Sequence, residues 1–313
     1  MNACPQSPFY IANFADKELR VGLKGLSSEE CEARLDAIVR LFCCLHGRDT
    51  FIKAYTKYLS TRLLNKTFLS QEAEESMLQK FKVECGLNVV NKMSVMFQDI
   101  KVSKDLQEEF HKLPNTKQID GIEFSAEVLT NGNWPIDNKP TCSIPQSMKS
   151  CVTKFESFYK NKYQNRNLTW LYHNGNAELT TNYAAKKYIF VVNVFQATIL
   201  SLFNEKDQYT VEELRQKTNV PKENFDPGML VLCNPKNAVL LKEIKKPVFT
   251  ETEKIKLNLN FKNQMIRLQL LPQPSAKKKT IEPSKEDEDL AREVTMEREK
   301  KIEAYVVKIM KGR

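Results

Sequence analysis

The sequence predicts an α+β fold that is mostly helical, and three observations indicate it. Apolar residues recur at helical spacing through the first third of the chain. Alternation of apolar and polar residues, with turn residues between the runs, begins after Pro114. Helical spacing returns near Phe195 and again before Arg313. A chain of 313 residues also exceeds one small domain, since domains usually hold about 100–200 residues.

Residues 1–113 are predicted to form a four-helix bundle. Ser27 or Ser28 can cap the first of these helices, and Glu29 and Glu30 favour its positive end. Short connections between amphipathic helices favour antiparallel packing. The predicted helices lie at 28–45, 49–65, 70–85 and around 89–100.

Residues 114–193 predict a small α/β sheet domain. The residues after Gly121 alternate between apolar and polar, as a half-buried strand does. Asn174 and Gly175 are typical of a hairpin turn. The predicted strands lie at 122–128, 168–173, 178–183 and 188–192, with a helix around 148–163.

Residues 194–271 predict a winged-helix domain. An apolar helix near Phe195 precedes a helix with a capping box, in which Thr210 is the N-cap and Glu213 reaches back. Pro221 opens a third helix that ends near Leu232. The strands of the wing are predicted at 239–241 and 255–261.

The remaining residues predict a linker and a last helix. Residues 272–289 are rich in Pro, Lys and Glu, which is typical of an extended tether. Residues 290–313 predict a C-terminal helix. Its apolar stripe consists of Ile302, Tyr305, Val306, Ile309 and Met310.

Composition excludes several classes of protein and leaves others open. The formal net charge of +9 favours acidic partners, either nucleic acid or an acidic protein. The eight cysteines form no Cys-x-x-Cys pair, which argues against a zinc site and against a disulfide framework. No apolar run is long enough to span a membrane, and the N-terminus lacks the pattern of a secretory signal. These features favour a cytoplasmic or nuclear protein with reduced thiols.

No catalytic site is predicted. His46, His111 and His173 lie in three different predicted regions, and none has a sequence pattern that pairs it with a nucleophile. The nine glycines form no phosphate-binding cluster. We therefore expect no catalytic residue, no metal site and no cofactor.

Several blocks of sequence carry a family resemblance. The blocks are residues 7–16, 49–55, 59–64, 96–106, 133–135, 167–172, 195–197 and 306–311. In this order they resemble the C-terminal half of the cullins, which are scaffolds of RING-type ubiquitin ligases. The resemblance covers nearly the whole chain and implies a four-helix bundle, an α/β domain, a winged-helix domain and a long helix. It also implies a scaffold subunit without catalytic activity, which positions the charged conjugating enzyme (E2).

The resemblance implies a binding site for a RING-box protein. In cullins the α/β domain accepts a strand from that partner by β-augmentation. The strands at 122–128 and 168–172 would belong to this sheet. Trp170 is either the apolar anchor of the partner or plain core. The implied partner-binding residues are Ile122, Phe124, Leu168, Trp170 and Tyr172.

The resemblance implies a modification site at Lys311. The segment 306–311 is similar to the one that carries the NEDD8 acceptor of the family. Lys308 stands where the family usually has arginine. The implied partners are thus a RING-box protein and the NEDD8 conjugation machinery.

Two departures from the family keep alternatives open. The N-terminal cullin repeats, which bind substrate adaptors, and the last winged-helix domain have no counterpart in this sequence. One alternative is therefore a truncated, non-functional or dominant-negative remnant. Another is a winged-helix nucleic-acid binder, which predicts duplex binding that weakens steeply with salt. Glu212 and Glu213 on the presumed recognition helix disfavour that alternative.

Overall fold

The computed structural model describes residues 2, 4–136, 142–184, 186–243, 248–272 and 285–311, and the predicted mostly helical α+β fold is confirmed. The helices are α1 (Ser7–Lys17), α2 (Ser28–Cys43), α3 (Arg48–Asn65), α4 (Gln71–Cys85), α5 (Leu87–Lys112), α6 (Gln146–Lys162), α7 (Val194–Leu202), α8 (Val211–Thr218), α9 (Lys222–Leu232) and α10 (Lys285–Lys311). The strands are β1 (Asn176–Thr180), β2 (Ile189–Asn193), β3 (Gln208–Thr210), β4 (Leu240–Lys242), β5 (Lys254–Leu257) and β6 (Arg267–Gln269).

The described residues divide into two compact units. The first unit takes the described parts of 1–109 and 125–136 together with α10. The second takes 110–124 and the described parts of 137–278. The finer domain boundaries given above stay predictions. Most of the predicted linker at 272–289 lies outside the described residues.

Aromatic side chains from three helices fill the core of the first unit. Phe42 of α2, Phe51 of α3 and Phe81 of α4 are fully buried. The ring centroids of Phe42 lie 4.9 Å from Phe51 and 5.2 Å from Phe81. Such tilted and edge-on contacts are favourable beyond the area that they bury. Ser27 caps α2 in a capping box with Glu30, which confirms the predicted start of this helix.

A buried ion cluster joins α1, α3 and α4. The side chain of Arg62 is fully buried and donates hydrogen bonds to Asp16 on α1 and Glu74 on α4. The Arg62 Nη1 atom lies 2.7 Å from Asp16 Oδ1, and Nη2 lies 2.8 Å from Glu74 Oε2. The guanidinium also sits over the ring of Tyr55. A buried charge is tolerated only when it is paired in this way, so the three helices can meet here in one arrangement.

Two three-stranded sheets organise the second unit. In the first sheet, β2 lies between β1, its antiparallel neighbour, and β6, its parallel neighbour. In the second sheet, β5 lies between β3 and β4, and both pairs are antiparallel. The predicted capping box of Thr210 and Glu213 begins α8. The predicted helices and wing strands occur in the expected order, while β3 and β6 were not predicted.

In the second unit, helices α7 and α9 approach each other closely. Gln196 of α7 is fully buried and donates hydrogen bonds to the carbonyl oxygens of Gly228 on α9 and Leu270 after β6. A Cβ atom at position 228 would lie 3.2 Å from Gln196 Cγ. Glycine therefore lets α9 approach α7 closely enough for this amide to bridge both elements.

Two strand predictions and one hairpin prediction are wrong. The structure has no β-strand at residues 122–128 or 168–173. The predicted hairpin turn is instead a 3₁₀-helix at Tyr172–Asn174. The strand that follows it, β1, pairs with β2 and not with residues 168–173. Burial alternates over 122–128 and over 167–170, but alternation reports only which side chains are covered and not a neighbouring strand.

We predict that Arg62→Met lowers the free energy of unfolding by about 3–5 kcal/mol, because Glu74 is left buried without its cation and Asp16 loses one of its two cationic partners. Chemical denaturation measures the change. Arg267→Met is the matched control, since the side chains of Arg267 and its partner Glu178 each retain 53% of their accessible surface, and such a pair should contribute less than about 1 kcal/mol. Equal effects of the two substitutions would contradict a special role for the buried cluster.

Candidate partner-binding surfaces

An extended segment of the first unit is held along α5 by side chains. Asp99, Ser103 and Gln107 lie four residues apart on α5 and bond to every second backbone amide of the segment. Four helical residues rise about 6 Å, and two extended residues rise about 6.6 Å, so the two spacings match. The bonds run from the backbone N–H of Ala126 to Gln107 Oε1 (3.0 Å), of Val128 to Ser103 Oγ (2.7 Å) and of Thr130 to Asp99 Oδ2 (2.7 Å).

The three hydrogen bonds to Ala126, Val128 and Thr130, here called the polar ladder, occupy only one backbone edge of the segment. Backbone groups of successive residues in an extended chain point to opposite sides. Those of Ser125, Glu127 and Leu129 therefore point away from the ladder. In the described part of the first unit, these residues belong to no β-ladder. The segment is a strand edge whose inner side is satisfied by a helix, which also explains why no strand is assigned.

Asp99 fixes the end of the polar ladder. Its carboxylate accepts hydrogen bonds from the backbone N–H and the hydroxyl of Thr130 and from Trp134 Nε1, each at 2.7 Å. Asp99 and Trp134 are both buried. Sequence reasoning missed this arrangement, although the spacing of polar residues at 99, 103 and 107 on an otherwise amphipathic helix was a usable signal.

Aromatic rings in the second unit surround Trp170. The ring centroid of Trp170 lies 6.1 Å from Phe124 and 6.1 Å from Phe155. The ring of Tyr172 stacks on it at 6.4 Å. Trp170 Nε1 donates a hydrogen bond to Glu156 of α6 at 2.7 Å. The structure thus brings together three of the five predicted partner-binding side chains.

The other two predicted residues, Ile122 and Leu168, precede Phe124 and Trp170 by two positions each. Ile122 exchanges two backbone hydrogen bonds of 2.9 Å with Ile119 and so closes a tight bridge. Leu168 is half-buried in the segment 167–171, where Asn167 and Thr169 are exposed. Residues 167–171 belong to no β-ladder in the described part of the second unit.

Lys311 is the last described residue of α10, and its side chain is exposed. The apolar stripe predicted for this helix is exposed as well, including Ile302, Tyr305 and Met310. Lys308 is exposed one turn earlier. The structure therefore places two accessible lysines on the distal half of α10.

The thiols and histidines show no reactive arrangement among the described residues. The eight cysteines are free thiols, and burial raises the pKa of Cys233 to about 12, which keeps it protonated at neutral pH. The Nε2 atom of His111 lies 3.2 Å from the carbonyl oxygen of Phe124. Within the described ranges, no group of three or more His, Cys, Asp or Glu residues is arranged to hold a metal ion.

The same ranges contain no helix with the length and apolarity that crossing a bilayer requires. An exposed strand edge is one of the surfaces that peptide-binding domains use. Two protein-family models match this chain. The model of the cullin alpha solenoid domain matches residues 1–107, and that of the cullin alpha+beta domain matches residues 128–261.

Two curated relatives extend the match over the whole chain. The chain is 31% identical to Cullin-3 of Dictyostelium discoideum over 348 aligned positions, which cover 100% of this chain and 45% of that protein. It is 33% identical to Cullin-4A of Mus musculus over 315 positions, which cover 100% of this chain and 41% of that protein. The chain belongs to the cullin family. It spans less than half the length of these two relatives.

We predict that Ser103→Ala destabilises the first unit by about 1–2 kcal/mol, because the N–H and the C=O of Val128 both lose their partner. The exchange rate of the Val128 amide should rise with it. Ser94→Ala on the same helix is the matched control, since Ser94 bonds only to the carbonyl of Val90 one turn earlier. An unchanged Val128 amide in Ser103→Ala would show that the ladder does not hold the segment.

Proposed function

We propose that this chain is a scaffold of a RING-type ubiquitin ligase, which binds a RING-box protein and thereby positions a charged conjugating enzyme. Membership of the cullin family supports this function. The observation that carries it is the segment 167–171, which lies outside any β-ladder of the described second unit and bears Trp170 among aromatic rings.

The segment offers what β-augmentation requires. Its backbone groups can pair with an added strand, and such main-chain bonds supply affinity without sequence preference. Selectivity then comes from side chains that alternate along the segment. Leu168 and Trp170 are half-buried on one face, while Thr169 is exposed between them. In the first unit, the open edge at 125–129 offers a second segment of the same kind.

The scaffold acts by proximity, without chemistry of its own on the ubiquitin-transfer step. A RING partner held on this chain would bring the charged conjugating enzyme close to its target. Converting an encounter between free molecules into one within a complex can lower a barrier by several kcal/mol, up to about 7–11 kcal/mol in well-oriented cases.

Lys311 is the proposed acceptor of a ubiquitin-like modifier. Its deprotonated amine would attack the carbonyl carbon of the thioester on the conjugating enzyme. A C–N isopeptide bond forms, the C–S bond breaks, and the sulfur of the conjugating enzyme leaves as a thiol with the proton that the amine loses. The exposed position of Lys311 at the end of α10 gives the amine the access that this reaction needs.

The nucleic-acid alternative receives little support from α8. Its Arg215 lies 2.7 Å from Asp226, and its Lys217 lies 3.5 Å from Glu205. Glu213 contributes a further negative charge as part of the capping box. Cations that are already paired release fewer counterions on a phosphate backbone, so α8 is a poor recognition helix.

We predict that Trp170→Ala weakens binding to a RING-box protein by at least about 30-fold, which corresponds to about 2 kcal/mol for an aromatic anchor. Titration calorimetry measures the affinity, and thermal unfolding of the same sample measures the packing role. Tyr163→Ala is the matched control, because Tyr163 is also half-buried in the second unit but packs in a tilted contact against Tyr159.

Two outcomes separate the anchor from plain core. Lost affinity with intact folding supports the anchor, whereas lost stability with unchanged affinity assigns Trp170 to the core. Thr169→Pro, compared with Thr169→Ala, tests the backbone directly, because only proline removes the N–H. Equal affinities of the two Thr169 variants, both folded, would contradict strand addition at this segment.

We predict that Lys311→Arg abolishes modification of α10 by the NEDD8 conjugation machinery, because the guanidinium of arginine stays protonated and is not a nucleophile. Lys308→Arg is the matched control and should leave the modification in place. Peptide mass mapping after the conjugation reaction locates the isopeptide bond. Modification that persists in Lys311→Arg and disappears in Lys308→Arg would move the acceptor by one turn.

A further inference from the structure

Only a short stretch of α10 packs against the rest of the first unit through apolar side chains. Val294 is buried, and Leu290 and Ala291 lie partly buried against the core of this unit. Every described side chain from Thr295 to Lys311 is exposed. Apolar burial on this scale is small for a helix, so other contacts must decide how α10 lies on α3.

Those contacts are ionic and join α10 to α3. The Arg298 side chain donates two hydrogen bonds to Asp49, from Nε to Oδ2 and from Nη2 to Oδ1, each at 2.6 Å. Lys53 Nζ lies 2.8 Å from Glu297 Oε1 and 3.1 Å from Glu293 Oε2. Two hydrogen bonds between one guanidinium and one carboxylate fix the relative orientation of the two groups, whereas a single hydrogen bond does not.

The order of the pairs sets the direction and register of α10. Asp49 precedes Lys53 on α3, but its partner Arg298 follows the partners of Lys53 on α10, so the helices run in opposite directions here. A shift of α10 by one turn would place Ile302 or Val294 opposite Asp49. Either shift removes the two-pronged contact of Arg298, and one of them also brings Lys301 toward Lys53.

Pairing lowers the pKa values of two carboxylates in this contact. The hydrogen bond from Arg298 lowers the pKa of Asp49, and the bond from Lys53 lowers the pKa of Glu297. The pairs are nevertheless substantially exposed, since the side chains of Arg298 and Asp49 retain 52% and 45% of their accessible surface. Salt therefore screens these contacts, and the docking that they support is reversible.

We propose that Asp49, Lys53, Glu293, Glu297 and Arg298 form a clamp that docks α10 on α3 and positions the distal helix with Lys311. Lys311 lies about 20 Å of helix beyond Arg298, at about 1.5 Å per residue. Because the side chains between them are exposed, this stretch takes its direction from the clamp. The docking stands on geometry alone, whereas its consequence for Lys311 rests on the acceptor role proposed above.

Hydrogen exchange of the full chain tests the docking through charge reversal. Asp49→Arg and Arg298→Asp should each speed amide exchange at 288–300 by about fivefold, since an undocked helix frays. The double variant Asp49→Arg/Arg298→Asp rebuilds the pair with its signs exchanged and should restore slow exchange. High salt should loosen the unaltered chain in the same way.

A matched control is available in the second unit. Arg267 makes a two-pronged exposed pair with Glu178, and Arg267→Asp should leave exchange of α10 unchanged. Single reversals that do not alter exchange at 288–300, or a double variant that exchanges as fast as the singles, would overturn the clamp.

Positioning is tested by the initial rate of modification at Lys311 in the same variants. Both single reversals should lower this rate several-fold, and the double variant should recover it. Singles that release α10 but keep the rate would refute positioning and leave the docking standing. If the unaltered chain is not modified at Lys311, the acceptor proposal and the positioning role both fail, while the exchange data still decide whether the clamp exists.

Discussion

Backbone groups that leave water must find partners, and this constraint explains the segment that lies along α5. Three side chains spaced four residues apart on the helix satisfy every second amide of the extended chain. No neighbouring strand is then needed on that side, and the opposite edge stays open. Asp99 closes the arrangement by holding Thr130 and Trp134 together. Side chains of a helix thus take the place of a neighbouring strand on that side of the segment.

Two sets of ion pairs, one buried and one exposed, join α3 to its neighbours. One end of α3 buries Arg62 between two carboxylates, which fixes α1 and α4 around it. The other end presents Asp49 and Lys53 to α10 at the surface. Buried pairs are costly to break and hold one arrangement, whereas exposed pairs are weak and screened by salt. Helix α3 can therefore hold α1 and α4 in one arrangement and bind α10 more weakly.

Sequence reasoning succeeded where the signal is local and failed where it depends on distant partners. The capping boxes at Ser27 and Thr210 are set by residues three positions apart, and both are present. The strands predicted at 122–128 and 168–173 are wrong, because alternation reports burial and cannot say whether a ladder exists. The strand β6 has three residues and a parallel partner far away in the chain, so no local pattern marks it. Among the candidate site residues, Phe124, Trp170 and Tyr172 meet as one cluster, while the roles of all five stay predictions.

We propose that segments of this chain accept a strand from a RING-box protein. Amide hydrogen exchange of the chain with and without that partner tests it most directly. The claim predicts strong new protection within 167–171 or at Ser125, Glu127 and Leu129, with little change at Ala126 and Val128, whose amides already bond to α5. A stable complex that leaves both segments unprotected would contradict it.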